Sequence, residues 1–132
     1  MASSFVTSKA NSILTAEFKT ATIYGSLHLA DPGDAGSATC EVADSYSYAR
    51  TEITCGDDGS ARSISNTAAL EFPAASGGSW GAITHLGVCL SSTHGETVDV
   101  AYGSLTASKT IEDGDQLKFA IGNITATIAA GA

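Results

Sequence analysis

Three histidines, three cysteines, many serines and three acidic turns are the residues here whose types allow chemistry. A metal site needs ligands at a defined spacing, and His28, His85 and His94 form neither an HxH nor an HExxH pattern. His28 and His94 read as exposed turn or strand-face residues, and His85, beside Trp80, as a hydrogen-bonded structural histidine. A Ser/His/Asp triad could be drawn only by choosing partners freely, so no catalytic residue is assigned. The turns DPGD, GDDG and EDGD offer carboxylates and backbone oxygens of the kind calcium takes, without the twelve-residue EF-hand spacing. Cys40, Cys55 and Cys89 are an odd number with no CxxC. They read as three half-buried thiols, although a Cys40–Cys55 pair across a hairpin stays open. No metal and no cofactor is implied, and the chain is not read as an enzyme. Asn123-Ile124-Thr125 is a formal glycosylation sequon that reads as idle.

The elements that must position these groups follow from periodicity. Apolar Ala10, Ile13, Leu14 and Phe18 recur at helical spacing, predicting one short amphipathic helix from Ser8 to Phe18 behind a loose arm, Met1 to Thr7. Period-two alternation predicts strands at Thr22 to Leu29, Tyr46 to Cys55, Thr97 to Tyr102, Leu105 to Ile111 and the stretch after EDGD. The stretch from Ser65 to Leu90 reads as two central strands joined by a glycine-rich loop, with Trp80 opening the second. Gly122 and Asn123 read as the tight turn of a last hairpin, and AAGA at the end is expected to fray. The fold class is therefore mainly β: an antiparallel β-sandwich or barrel-like fold of seven or eight short strands with one short N-terminal helix. The expected organisation is residues 1–18 as arm and helix, and 19–132 as a single β-sandwich domain.

Composition narrows the partners. Fourteen acidic residues against six basic ones give a net charge of −8, which argues against binding a nucleic-acid backbone. No apolar run is long enough to span a membrane, and the N-terminus lacks a signal-peptide core, so synthesis in a reducing cytoplasm is expected. A small acidic strand-rich chain works by surface contact, and its strand edges can add a neighbouring strand.

The order of motifs carries a resemblance. A leading helix, a strand and DPGDAG precede YSYAR, SNTAALEFPAA, SWGAITHLGV and YGSLTASKTIEDGDQLKF. In this order they resemble small bacteriophage virion structural proteins of the tail-fibre-like or head-decoration (cement) type. The matching positions are Tyr48, Ala49 and Arg50; Asn66, Thr67 and Ala68; Phe72 and Pro73; Trp80, Gly81, Thr84, His85 and Gly87; and Tyr102, Gly103, Leu105, Lys109 and Asp115. The resemblance implies a structural role in the virion, with no catalytic residues to carry over. Physically these positions suit a scaffold: Pro73 ends a strand, Gly81 and Gly87 allow close packing, and Trp80 fills core.

Gly25, Ser26 and His28 depart from a more apolar first strand, so that strand is expected to be more exposed. The chain also lacks the long repeat region of a receptor-binding fibre. The leading expectation is a capsid decoration protein that bridges capsomers, with the major capsid protein and copies of itself, as a homotrimer, for partners. Phe5, Ile13, Leu14 and Phe18 are the expected anchors on a neighbour, and Arg50 is either an exposed strand charge or an interface ion pair. The alternative is a tail or tail-fibre-associated structural protein contacting the host, with tail proteins as its partners. Behind both stands a carbohydrate- or calcium-binding sandwich module, with Tyr24, Tyr46 and Tyr48 as a sugar platform.

Overall fold

The structure is a computed structural model and describes residues 5–130. Residues 1–4 of the arm and 131–132 of the terminal AAGA lie outside the described residues. Among the described residues the chain is mainly β, with eight strands in antiparallel sheets and one short N-terminal helix. It divides into two compact units.

The first unit takes the described residues up to Thr22, then Ile53–Leu70, then the chain from Phe119. Helix α1 (Thr7–Leu14) opens on Val6, whose carbonyl accepts from Lys9 N and Ala10 N, and no side chain caps it. It continues as a π-helical turn, Thr15–Thr20. The helical spacing read from the sequence is present: Ala10, Leu14 and Phe18 point inward and are buried. Strands β3 (Ser63–Ser65) and β8 (Thr125–Thr127) pair in register Ile64 to Ala126. Asn66 ties the unit together. Its Nδ2 donates to the carbonyls of Ala68 and Ala120 at 2.8 and 3.1 Å, and its Oδ1 accepts from Ile124 N at 2.9 Å.

The second unit takes Ile23–Glu52 and Glu71–Lys118. Its sheet has the order β2-β1-β5-β6, where β1 is Ile23–His28, β2 Thr51–Ile53, β5 Gly81–Cys89 and β6 Ala101–Ile111. The β1–β5 ladder pairs Leu27 with Leu86 and His28 with His85. Its core gathers Ile23, Leu27, Val42, Tyr48, Phe72, Trp80, Ile83 and Val98. Two short strands, β4 (Leu70–Glu71) and β7 (Lys118–Phe119), form a separate ladder.

Several expectations change. The two strands between Ser65 and Leu90 do not pair with each other: β4 joins β7, while β5 lies between β1 and β6. The glycine-rich segment between them is therefore a crossing and not a hairpin loop. Likewise β7 and β8 pair with β4 and β3, so Gly122-Asn123 makes a turn without a hairpin. The strand expected from Tyr46 is cut to Thr51–Ile53, because Tyr46 and Ser47 take left-handed backbone at φ +53° and +67°. Two bonds to the Tyr46 carbonyl, from Ser76 N and Trp80 Nε1, hold that conformation. The two strands expected between Thr97 and Ile111 are one, β6. Finally, β1 is not exposed. It lies inside the sheet, and Gly25, Ser26 and His28 are buried along with Ile23 and Leu27.

Candidate functional site

The second unit holds a buried, multiply hydrogen-bonded ion pair. The segment after the DPGDAG loop brings Glu41 beside the end of β1, where Glu41 and His28 form an isolated bridge. The left-handed turn at Tyr46 and Ser47 then returns the chain so that Tyr48 and Arg50, two residues apart, face inward. Arg50 grips the carboxylate with two bonds, Nε to Oε2 at 2.9 Å and Nη2 to Oε1 at 2.8 Å. Tyr48 Oη donates to Oε2 at 2.7 Å, and Gly95 N donates to Oε1 at 3.0 Å. The remaining guanidinium donors reach the carbonyls of Ser91 and Glu96. Both charged side chains are 0% exposed.

Electrostatics follow from this geometry. Burial works against a charged Glu41, but hydrogen bonds from Arg50, Tyr48 and Gly95 outweigh it and hold the carboxyl below its ordinary range. Burial likewise opposes the Arg50 charge, and Glu41 reverses this, raising the guanidinium further. The Tyr48 phenol is pushed far up, first by burial and then by its bond to Glu41. These groups stay in one protonation state through the neutral range. They hold structure and offer no proton to a substrate.

Around the pair lies a ring of aromatics. Tyr48 meets Trp80 edge to face at 5.4 Å and His94 at 6.1 Å, and its hydroxyl also accepts from Leu27 N. His94 Nε2 donates to Val42 O at 2.8 Å. Along β1, Ser26 Oγ lies 2.7 Å from His28 Nε2 and 3.4 Å from Cys89 Sγ.

Arg50 is thus neither an exposed strand charge nor an interface ion pair, since its partner is Glu41 of its own chain. His28 is fully buried, contrary to the face position expected for it, and His94 is half-buried. Among the expected anchors, Leu14 and Phe18 fill the core of the first unit, Ile13 is half-buried, and only Phe5 is well exposed, at 52%. The scaffold positions divide similarly. Tyr48, Phe72, Trp80 and Gly87 are buried, Pro73 is exposed, and Gly81 turns at φ +91°. Thr84 Oγ1 and His85 Nδ1 lie 2.8 Å apart.

Tyr48 is buried, so Tyr24, Tyr46 and Tyr48 cannot form one sugar platform. Among the described residues no three His, Cys, Asp or Glu side chains gather where they could hold a metal. The three thiols are free, with Cys40 exposed and Cys55 and Cys89 buried. Sequence reasoning missed Glu41. Its one signal was an acid flanked by Cys40 and Val42, just upstream of a Tyr-x-Arg pair.

The chain is thus a small, mainly antiparallel β scaffold whose inner charges are locked to each other. A family model described as "Podophage GP4 fiber I protein gp80" matches residues 8–127, and the chain belongs to that family, a phage fibre-type structural protein. No curated protein matches the chain.

Proposed function

We propose that this chain is a building block of a phage tail fibre, located in the virion and acting through surface contacts rather than catalysis. The observation that carries this reading is the family match over nearly the whole chain, residues 8–127. It favours the tail-fibre alternative over capsid decoration. The structure supports a contact role in a simple way: its buried ion pair is locked, while an edge strand presents polar side chains outward. Strand β6 is the clearest case, with Tyr102, Ser104, Thr106, Ser108 and Lys109 all exposed at the edge of a sheet.

Proposed partners are copies of the same chain and other tail proteins, with no nucleic acid, given the −8 charge. With Leu14 and Phe18 engaged inside their own unit, Phe5 and Val6 are the apolar residues near the N-terminus left for a neighbour. Gold-labelled antibody on purified particles tests the reading. Label confined to the tail end is expected. Label spread over the whole head would favour the cement reading, and particles without the protein would overturn a structural role altogether.

A further inference from the structure

His28 is a titratable group that the contact role does not use. It is fully buried on β1, opposite His85 of β5. Its Nδ1 is buried and has no hydrogen-bond partner among the described residues. The neutral ring is accommodated when Nε2–H donates to Ser26 Oγ, the Ser26 hydroxyl points at Cys89 Sγ, and Nδ1 remains a bare acceptor. A second proton must go to Nδ1. That creates a charged N–H donor with no acceptor, the costly case for a buried group.

The neighbours cannot rescue it. Facing His28 are Ser26 on its own strand, Glu41 and Arg50 from the following segment, and His85 and Cys89 from β5. Glu41 is the carboxylate among them, and four donors already fill its two oxygens: Arg50 Nε, Arg50 Nη2, Tyr48 Oη and Gly95 N. Gly87 closes the space, since a methyl group there would run into Ser26 Oγ and lie 2.9 Å from His28 Nε2.

We infer that His28 is an acid-operated release for the β1–β5 ladder: gaining a proton at mildly acid pH, it opens the sheet of the second unit while the Glu41–Arg50 pair is still charged. Burial first, then Arg50 and His85, make the folded ring harder to protonate than its ordinary 6.5, with Glu41 acting the other way. The unfolded chain therefore binds more protons than the folded one as pH falls below about 6.5, and stability drops from there. The Glu41 carboxyl, depressed from 4.5, responds only below that value, so the His28 window opens first as pH falls.

Thermal unfolding of the full chain, followed by Trp80 fluorescence, tests the release. Between about pH 7.5 and pH 5 the midpoint should fall by on the order of 5 °C. His28→Gln should lose most of that fall, while His94→Gln, altering a ring that already donates to Val42 O, should keep it. An equal fall in His28→Gln, or none in the wild type, would overturn the inference. Should His28→Gln fail to fold, NMR titration of the wild-type ring decides. A folded-state ring that stays neutral until new, open-state signals emerge supports the release, and a ring titrating near 6.5 within an unchanged fold sinks it.

Discussion

Removing one half of the Glu41–Arg50 pair leaves the other half charged, buried and unpartnered. The expected cost of Glu41→Gln or Arg50→Met is therefore large, roughly 3–5 kcal/mol, far beyond the value of an exposed ion pair. Chemical denaturation read by Trp80 fluorescence measures it. A loss below about 1 kcal/mol would mean that water reaches the pair. The double variant should cost less than the two single losses added together, because neither charge is then stranded. The pair also sets an acid limit. With the Glu41 carboxyl held below 4.5, its contribution is present above that value and is lost as pH falls through its folded-state value. Gly87 is the other sensitive residue. In Gly87→Ala the new methyl would lie 3.0 Å from Val98 Cγ2 as well as against Ser26 and His28. About 1–3 kcal/mol of destabilisation is expected by the same measurement.

At the scale of elements, strands β1 and β6 of the second unit should differ sharply in mobility. Strand β1 has a partner on each side, whereas β6 is an edge strand whose ladder is broken. Between the pairs Ile83–Lys109 and His85–Ser104, residues 105–108 of β6 face Thr84 alone. Such a bulge interrupts the run of free N–H and C=O groups that would otherwise template uncontrolled pairing. Amide exchange should be at least about a hundredfold faster in residues 105–108 than at Leu27 or His28, since few buried contacts protect them. Equal protection would mean that a neighbour covers this edge.

The same elements show what could be read from sequence. Periodicity found β1, β5 and α1, because each presents an apolar pattern long enough to register. It could not find partners: β4 and β7 are two residues each, and their pairing depends on contacts far apart in the chain. The alternation from Tyr46 to Cys55 was genuine, yet two backbone bonds to Tyr46 O bend its first part into a turn. Tyr48 and Arg50 therefore point inward to meet Glu41, and nothing in a strand pattern announces a buried charge.

At the scale of the whole molecule, the three cysteines act as built-in reporters. Cys40 is exposed, while Cys55 lies in the core of the first unit and Cys89 in that of the second. Burial raises both inner thiols above their ordinary range, which lowers the thiolate fraction on top of blocking access. Native protein treated with a disulfide reagent should therefore show one fast thiol and two that react only as their units open. Peptide mapping of timed samples assigns each rate to its cysteine, so one experiment reads the opening of each unit separately. If His28 releases the β1–β5 ladder, lowering the pH from about 7.5 to 5 should speed labelling of Cys89 relative to Cys55, with a pyridyl disulfide that stays reactive in acid. The first unit contains no buried histidine, and its inner polar group, Asn66, does not titrate, so Cys55 is the internal control. Acid acceleration of both thiols alike would show that the opening is general and place its cause outside His28.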